Sequence, residues 1–153
     1  GVGDFYYELS VQTIDVCYRT RAQNGGLLAM DELLKALMSI RGPKSQPISE
    51  DDVLRAIKKV ANLGNGFSTV TIAGKTMVVS VPCELNRDHT AVLELAQGSG
   101  FVTAPRVMEA LAWTEQRFDS VMRVMLQEGM VWVDEQAPDG IAQYWIPSLL
   151  GMC

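Results

Sequence analysis

The chain has 153 residues, of which 48% are hydrophobic and 20% are charged, and its 13 basic and 18 acidic side chains give a net charge of −5. The apolar content excludes a disordered segment, because a chain this rich in apolar residues can bury enough surface to offset the entropy lost on folding. The acidity opposes general binding to DNA or to anionic membrane surfaces, which needs a local excess of Lys and Arg. The length fits one domain or two small domains of about 70 residues each.

The cysteines and the histidine exclude two further classes of protein. Cys17, Cys83 and Cys153 are odd in number and far apart, which predicts reduced thiols rather than a disulfide framework. A single histidine, His89, and the lack of C-x-x-C spacing leave no local zinc ligand set, so we expect no metal and no cofactor. No apolar run reaches the roughly 18 residues of a membrane span, and no secretory leader is visible. Because the chain does not begin with Met, we expect it to be part of a longer protein.

Helices and strands alternate along the first half in a simple order. The first helix has apolar residues around most of its circumference, which predicts a helix buried on nearly all sides. Gly- and Pro-containing segments separate the later elements. The predicted elements are a helix over residues 4–23, a strand at 27–28, a helix ending before Gly42, a helix capped by Ser49 and ending at Gly64, and a hairpin of 67–72 and 76–81.

The same order recurs in the second half. The predicted elements are a helix over 88–97, a strand at 101–102, helices over 104–112 and 114–128, and a hairpin of 130–134 and 141–146. Apolar and glycine positions of the halves match at a shift of 74 residues up to the second helix and at a shift of 65 after it, where Val81 and Pro82 match Ile146 and Pro147. Two copies of one unit therefore explain the chain.

A helix, a short strand, two helices and a two-stranded wing form the winged-helix variant of the helix-turn-helix. The sequence predicts an α+β fold, mainly α, made of two tandem winged-helix domains, at residues 1–82 and 83–153. The first carries nine basic and eight acidic side chains, a net charge of +1, and the second carries four and ten, a net charge of −6.

Nucleic acid binding is one hypothesis for the first domain. The third helix of a DNA-binding winged helix enters the major groove, and here it offers Arg55, Lys58 and Lys59. Three acidic residues at 50–52 open the same helix, where they suit the positive helix end and oppose phosphate. The basic residues are therefore either a solvated helix face or a nucleic-acid face.

Catalysis is not expected. His89 lies at a helix start, where it is more typical of a capping or surface residue than of a general base. The Gly-rich segments lack the spacing of phosphate-binding loops and predict helix ends. We therefore expect no enzymatic activity and no small-molecule substrate.

A set of four aromatic residues lies in the second domain, mostly on its predicted wing: Trp113, Trp132, Tyr144 and Trp145. Successive residues of a strand face opposite sides, so Tyr144 and Trp145 cannot both enter one core, and we expect one to be exposed or covered by a partner. Packing of these rings on the neighbouring domain is the alternative. Aromatic side chains on an acidic wing favour a protein partner over DNA.

Longer strings add a resemblance to a known family. They are Gly-Val-Gly-Asp-Phe-Tyr-Tyr-Glu-Leu at 1–9, Asn-Gly-Gly at 24–26, Asp-Val-Leu-Arg-Ala-Ile-Lys-Lys at 52–59, Ser-Val-Pro-Cys-Glu-Leu-Asn-Arg-Asp-His at 80–89 and Tyr-Trp-Ile-Pro at 144–147. Through them the chain resembles the SNF family of vacuolar-sorting proteins, the twenty-two subunit of ESCRT-II, in its carboxy-terminal tandem winged-helix part.

The resemblance implies a non-enzymatic scaffold subunit that sorts ubiquitinated cargo into multivesicular bodies. The implied partners are vacuolar-sorting proteins twenty-five and thirty-six, and the implied location is cytoplasmic, peripheral on the endosomal membrane. In the family, membrane contact belongs to an amino-terminal region that precedes this part. The family has also been linked to transcription elongation complexes, which keeps a DNA-binding function as the alternative.

The resemblance also implies a binding site. In the family, the second domain receives a Pro-Pro-x-aromatic segment of the twenty-five subunit, and an acidic residue pairs with an Arg of that partner. Motif position places this carboxylate at Asp134, with Trp132, Tyr144 and Trp145 as candidate apolar contacts.

Overall fold

The computed structural model describes residues 2–64 and 66–150. The chain divides into two compact units, the first formed by residues 1–22 and 26–84 and the second by residues 23–25 and 85–153. The division into domains at residues 1–82 and 83–153 stays a prediction.

The first unit has three helices and a three-stranded antiparallel sheet. Its elements are α1 (Val2–Asn24), β1 (Leu27–Ala29), α2 (Met30–Arg41), α3 (Glu50–Ala61), β2 (Ser68–Ile72) and β3 (Lys75–Val79). The strand order is β1-β3-β2, so the last strand of the wing lies in the centre of the sheet.

The second unit repeats this arrangement. Its elements are α4 (Arg87–Leu95), β4 (Phe101–Val102), α5 (Ala104–Leu111), α6 (Glu115–Gln127), β5 (Trp132–Asp134), β6 (Gln143–Trp145) and a short 3-10 turn, Pro147–Leu149. The strand order β4-β6-β5 matches that of the first unit. The predicted α+β fold of two tandem winged-helix units is confirmed.

Equivalent helices supply both cores. The apolar stripe of α3 contributes Val53, Ile57 and Val60, all at most 3% exposed, and that of α6 contributes Phe118, Met122 and Met125, all at most 2% exposed. These are the positions that match at a shift of 65 residues. Larger side chains in α6 stand where α3 has smaller ones, so the two cores share a pattern and differ in volume.

The last strands match at a different shift from the predicted one. The N–H of Ser80 donates to the carbonyl of Gly26 at 2.9 Å, and the N–H of Ile146 donates to the carbonyl of Gly100 at 2.8 Å. Ser80 is therefore the counterpart of Ile146, at a shift of 66, and the predicted match of Val81 with Ile146 is wrong by one residue. The wing loops differ in length, and loop length is only weakly constrained by the strands that it joins.

The prediction that α1 is buried on nearly all sides is also wrong. Leu9 and Val16 are at most 2% exposed, whereas Tyr7, Val11 and Tyr18 are 71%, 49% and 48% exposed. A unit of this size covers a helix with its other elements on one side only. Apolar residues on the opposite face stay at the surface, which is common, because apolar atoms contribute a large share of the accessible surface of folded proteins.

A capping box starts α3, as predicted. The N–H of Asp52 donates to Oγ of Ser49 at 3.2 Å, and the N–H of Ser49 donates to Oδ2 of Asp52 at 2.9 Å. The Tyr6 hydroxyl of α1 donates to the other oxygen, Oδ1, at 3.0 Å. The hydrogen bond from the Ser49 backbone is the main cause that lowers the pKa of Asp52, and the network links α1 to α3.

A second capping box starts α4. The N–H of Asn86 donates to Nδ1 of His89 at 3.1 Å, and the N–H of His89 donates to Oδ1 of Asn86 at 3.1 Å. His89 is thus a capping residue, but it is buried, at 5% exposure, rather than on the surface. Burial lowers the pKa of His89, although the charge of Asp88 opposes this shift. The lowered pKa favours the neutral imidazole that the cap requires.

An ion pair joins α4 to α6. Arg117 donates from Nε and Nη2 to the two carboxylate oxygens of Asp88, at 3.1 and 2.8 Å. Its guanidinium also lies 4.9 Å from the centre of the Trp113 ring, which is buried. Trp113 therefore has a structural role beneath Arg117 rather than a place on the wing surface.

Cys17 is a free thiol, whereas Cys153 lies outside the described residues. Burial raises the pKa of Cys17 to about 12, so this thiol is protonated and unreactive. Within residues 2–64 and 66–150, no group of His, Cys, Asp and Glu side chains could hold a metal ion. Over the same residues, each helix is too short or too polar to traverse a lipid bilayer.

The buried His89 predicts acid sensitivity of the second unit. Below about pH 6.5, the ordinary pKa of histidine, the unfolded chain binds a proton that the folded unit does not, so the free energy of unfolding falls as the pH falls. His89→Gln keeps an acceptor for Asn86 and removes this proton. We expect its urea midpoint to change less than the parent's between pH 7.5 and 5.5, followed by tryptophan fluorescence.

All three tryptophans lie in residues 113–145, so this signal reports on the second unit. Asp88 is a separate source of pH dependence, because its pKa is lowered by Arg117 and its contribution is lost only under more acidic conditions. Equal pH dependence of the parent and the variant would contradict the assignment to His89.

Candidate functional site

The sheet of the second unit sorts its aromatic side chains onto two faces. Across the strands, Phe101 pairs with Trp145 and Trp145 with Trp132, while Tyr144 pairs with Val102 and Val133. Directly paired residues share a face, and successive residues of a strand point to opposite faces. Trp132 and Trp145 therefore lie on one face, and Tyr144 lies on the other.

The face that carries the tryptophans forms a row across all three strands, Phe101, Trp145 and Trp132, called here the aromatic row. The ring centres of Phe101 and Trp145 are 4.7 Å apart, and Nε1 of Trp145 donates to Oε1 of Gln143 at 3.2 Å. Trp132, on the edge strand β5, is 50% exposed. The row is thus packed at one end and open at the other.

Asp134 extends this face along β5. It follows Trp132 by two residues and so shares its face. One carboxylate oxygen, Oδ1, accepts the N–H of Gln136 at 2.8 Å, which fixes the side chain at the start of the wing loop. In the part of the chain that the structure describes, no Lys, Arg or His lies within ion-pair distance of this carboxylate. Trp132, Trp145 and Asp134 form what we call the outer-face cluster.

Tyr144 lies behind this cluster. Its ring meets that of Phe118 in α6 edge to face, with the centres 5.4 Å apart. Burial, followed by the charges of Asp119 and Glu135, raises the pKa of Tyr144, so its hydroxyl is protonated at neutral pH. The structure thus brings three of the four predicted site residues together and places the fourth on the core side of the sheet.

Exposure is distributed differently from the sequence expectation. Tyr144 and Trp145 do face opposite sides, but both are half-buried, and the exposed ring is that of Trp132. Sequence reasoning also missed Phe101 and Gln143, which pack against or hydrogen-bond to Trp145. Phe101 lies in the strand predicted at 101–102, but only the pairing with Trp145 places it on this face.

The predicted basic face lies on α3. The Arg55 guanidinium donates to the Tyr6 hydroxyl at 3.3 Å and lies 5.6 Å from the centre of that ring, whereas Lys58 and Lys59 are exposed in the last turn. Glu50, Asp51 and Asp52 occupy the first turn, so the charges follow the helix dipole.

The first turn of a recognition helix is also the part that contacts base edges. Its three carboxylates would therefore meet phosphate and base acceptors. This distribution of charge does not favour the nucleic-acid alternative, and it gives the two lysines a structural reason for their position.

Comparison with known proteins identifies close relatives. Residues 2–135 match the EAP30/Vps36 family. The chain is 49% identical over 149 residues to the vacuolar-sorting protein SNF8 of Xenopus tropicalis, covering 97% of this chain and 58% of that protein. It is 48% identical to the vacuolar protein sorting-associated protein 22 homolog 1 of Arabidopsis thaliana, covering 96% of this chain and 59% of that protein.

A solved structure is similar throughout. A chain in the crystal structure of the endosomal complex ESCRT-II (VPS22/VPS25/VPS36) superimposes with a TM-score of 0.75 at 31% identity, covering 99% of this chain and 68% of that one. The chain thus spans 58% to 59% of the length of the relatives described above.

The two faces of the second sheet predict different costs of substitution. Trp132→Ala removes a half-exposed ring, and we expect it to lower the free energy of unfolding by less than about 1 kcal/mol. Tyr144→Ala removes the contact with Phe118, and we expect a loss of about 2 kcal/mol or more. Urea denaturation followed by the remaining tryptophans measures both, and equal losses would contradict the assignment of faces.

Proposed function

The chain belongs to the EAP30/Vps36 family, and from this premise we propose that it is a non-enzymatic scaffold subunit of ESCRT-II that acts in the endosomal sorting of ubiquitinated cargo into multivesicular bodies. The names of the relatives and the match to a chain of the solved ESCRT-II complex support this proposal. We further propose that the chain corresponds to the carboxy-terminal winged-helix part of the twenty-two subunit. The shared strings at residues 1–9 and 80–89 support this assignment.

The proposed partners are vacuolar-sorting proteins twenty-five and thirty-six. The complex would be cytoplasmic and peripheral on the endosomal membrane, with membrane contact made by the amino-terminal region of such subunits. Residues 83–153 carry a net charge of −6, which opposes contact of this part with an anionic membrane surface.

We place the contact with the twenty-five subunit on the outer-face cluster. The observation that carries this proposal is the exposure of Trp132 beside Asp134, on the same face as Trp145. An exposed indole next to a carboxylate fits a partner segment that offers an apolar or aromatic side chain together with a cation. Tyr144 contributes through its packing on Phe118, which supports the strand, rather than through contact with the partner.

The energetics favour one charged contact beside this aromatic face. The neighbouring Trp132 ring and the bound partner would exclude water from Asp134, which strengthens the attraction to a guanidinium. The same exclusion makes an unpaired charge expensive, about 2 to 5 kcal/mol for loss of one member of a buried pair. Replacement of Asp134 should therefore act mainly on the dissociation rate.

We expect Asp134→Arg to weaken binding of the purified twenty-five subunit by at least about 30-fold, measured by calorimetry. The urea midpoint should change little, because the Asp134 side chain makes a single hydrogen bond, to the Gln136 backbone. Asp134→Asn should keep that bond and still lose most of the affinity, which separates the charge from the local turn.

Asp139→Arg is the matched control. Asp139 is exposed on the same wing loop, and its Oδ1 accepts the N–H of Ile141 at 2.9 Å. Like Asp134, it thus accepts the backbone N–H of the residue two positions later. We expect this variant to retain affinity to within about threefold. Equal weakening by both substitutions would show that only the overall charge matters, and unchanged binding of Asp134→Arg would reject the site.

A further inference from the structure

The free edge of β2 in the first unit is suited to accept another strand. β2 lies at the end of the order β1-β3-β2 and pairs with β3 in continuous register over five residues, without a proline. Ala73 and Gly74 have φ of 50° and 80°, as in a two-residue turn whose flanking pair, Ile72 and Lys75, is hydrogen-bonded. The alternation from that pair directs the backbone N–H and C=O of Thr69 and Thr71 away from β3.

A groove lies directly beside this edge. It has a cavity volume of about 480 Å³ and runs between α3 and the start of β2. Leu54, Ile57, Ala61 and Phe67 provide its apolar lining, and Thr69 belongs both to the groove and to the free edge. A strand added to β2 would therefore place every second side chain over an apolar floor.

The groove is basic along much of its rim. Arg55 and Lys58 of α3 line it, whereas Lys59, the next residue, does not. The Tyr6 hydroxyl accepts from the Arg55 guanidinium and so orients it, and Lys58 is exposed. Asp51 is the acidic residue of the lining and lies one helical turn before Arg55, toward the start of the helix.

We propose that this groove binds an extended acidic peptide segment of a partner protein, which pairs with the β2 edge, inserts an apolar side chain between α3 and β2, and presents carboxylates to Arg55 and Lys58. The apolar floor can bury a peptide side chain and offers nothing to a phosphate backbone, and the edge of β2 can pair with a peptide backbone but not with a nucleic acid. Both observations favour a peptide over nucleic acid. The site is separate from the outer-face cluster and does not depend on the proposed contact with the twenty-five subunit.

The test uses the 153-residue chain and a fluorescein-labelled heptapeptide, Thr-Asp-Thr-Leu-Thr-Asp-Thr, in fluorescence anisotropy. In an extended conformation this probe directs Asp, Leu and Asp to one side. We expect saturable binding, at least tenfold tighter than that of the same peptide with Lys for Asp. No saturable binding at concentrations up to about 1 mM would overturn the proposal.

Two neighbouring lysines provide a matched pair of variants. Lys58→Glu should weaken binding of the acidic peptide about tenfold, whereas Lys59→Glu makes the same change of charge outside the groove and should weaken it less than twofold. Equal weakening would show attraction to the whole helix and would overturn the proposal. Asp134→Arg, in the other unit, should not weaken binding of the acidic peptide. A loss of affinity comparable to that of Lys58→Glu would overturn the proposal.

The strand pairing has its own test, which leaves the protein unchanged. N-methylation of alternate amides of the peptide removes donors from one edge at a time. Methylation of the amides that face β2 should abolish binding, whereas methylation of the amides that face away from it should not. Equal effects of the two sets would exclude pairing with β2. A duplex of about 15 base pairs that binds more tightly than the peptide, and that is weakened by both lysine variants, would instead identify a nucleic-acid surface.

Discussion

The pairing between the central strand of each sheet and its two neighbours decides which side chains can form a surface. In the second unit, Trp145 of β6 stands between Phe101 and Trp132, and this register puts Asp134 on the same face. A slip of one residue along β5 would turn Trp132 and Asp134 to the core side of the sheet and Val133 to the outer face, and would bury the carboxylate. The hydrogen bond from Ile146 to Gly100 and the contact of Tyr144 with Phe118 hold that register from both sides.

Charges in the two units follow from local stability as well as from binding. Acidic residues at the start of α3 cap the helix and interact with its dipole, and its lysines occupy the opposite end. Asp88 and Arg117 similarly join two helices of the second unit. Asp52, Asp88 and Arg117 resemble binding residues in the sequence, yet their hydrogen bonds are internal. Asp134 differs, because its contact is a single turn hydrogen bond at the edge of an aromatic face.

The sequence predicted the helices and strands well, because glycines and caps mark their ends and because each element is predicted in both halves of the repeat. It did not predict the register of the last strand. The second wing is two residues longer and the connection before it is one residue shorter than in the first unit, and such changes in loop length cost little and leave no mark in the apolar pattern. The exposure of Tyr7 and Tyr18 was missed for a related reason, because composition does not tell which side of a helix its neighbours cover. Strand alternation already placed Tyr144 and Trp145 on opposite faces, but only the pairing put Trp132 on the face of Trp145.

One fold thus offers two different edges. The counterpart of Trp132, by its pairing with the central strand, is Ser68, so the first unit has a small polar residue where the second has an exposed indole. The core positions of α3 and α6 are apolar in both units, so the two units keep one core pattern while their edge residues differ. In the two proposals, the acidic aromatic edge would select for cations and the apolar edge with Arg55 and Lys58 would select for carboxylates. Duplication therefore allows a scaffold to acquire a second partner by changing a few strand and helix residues, while the contacts that hold each unit together are preserved.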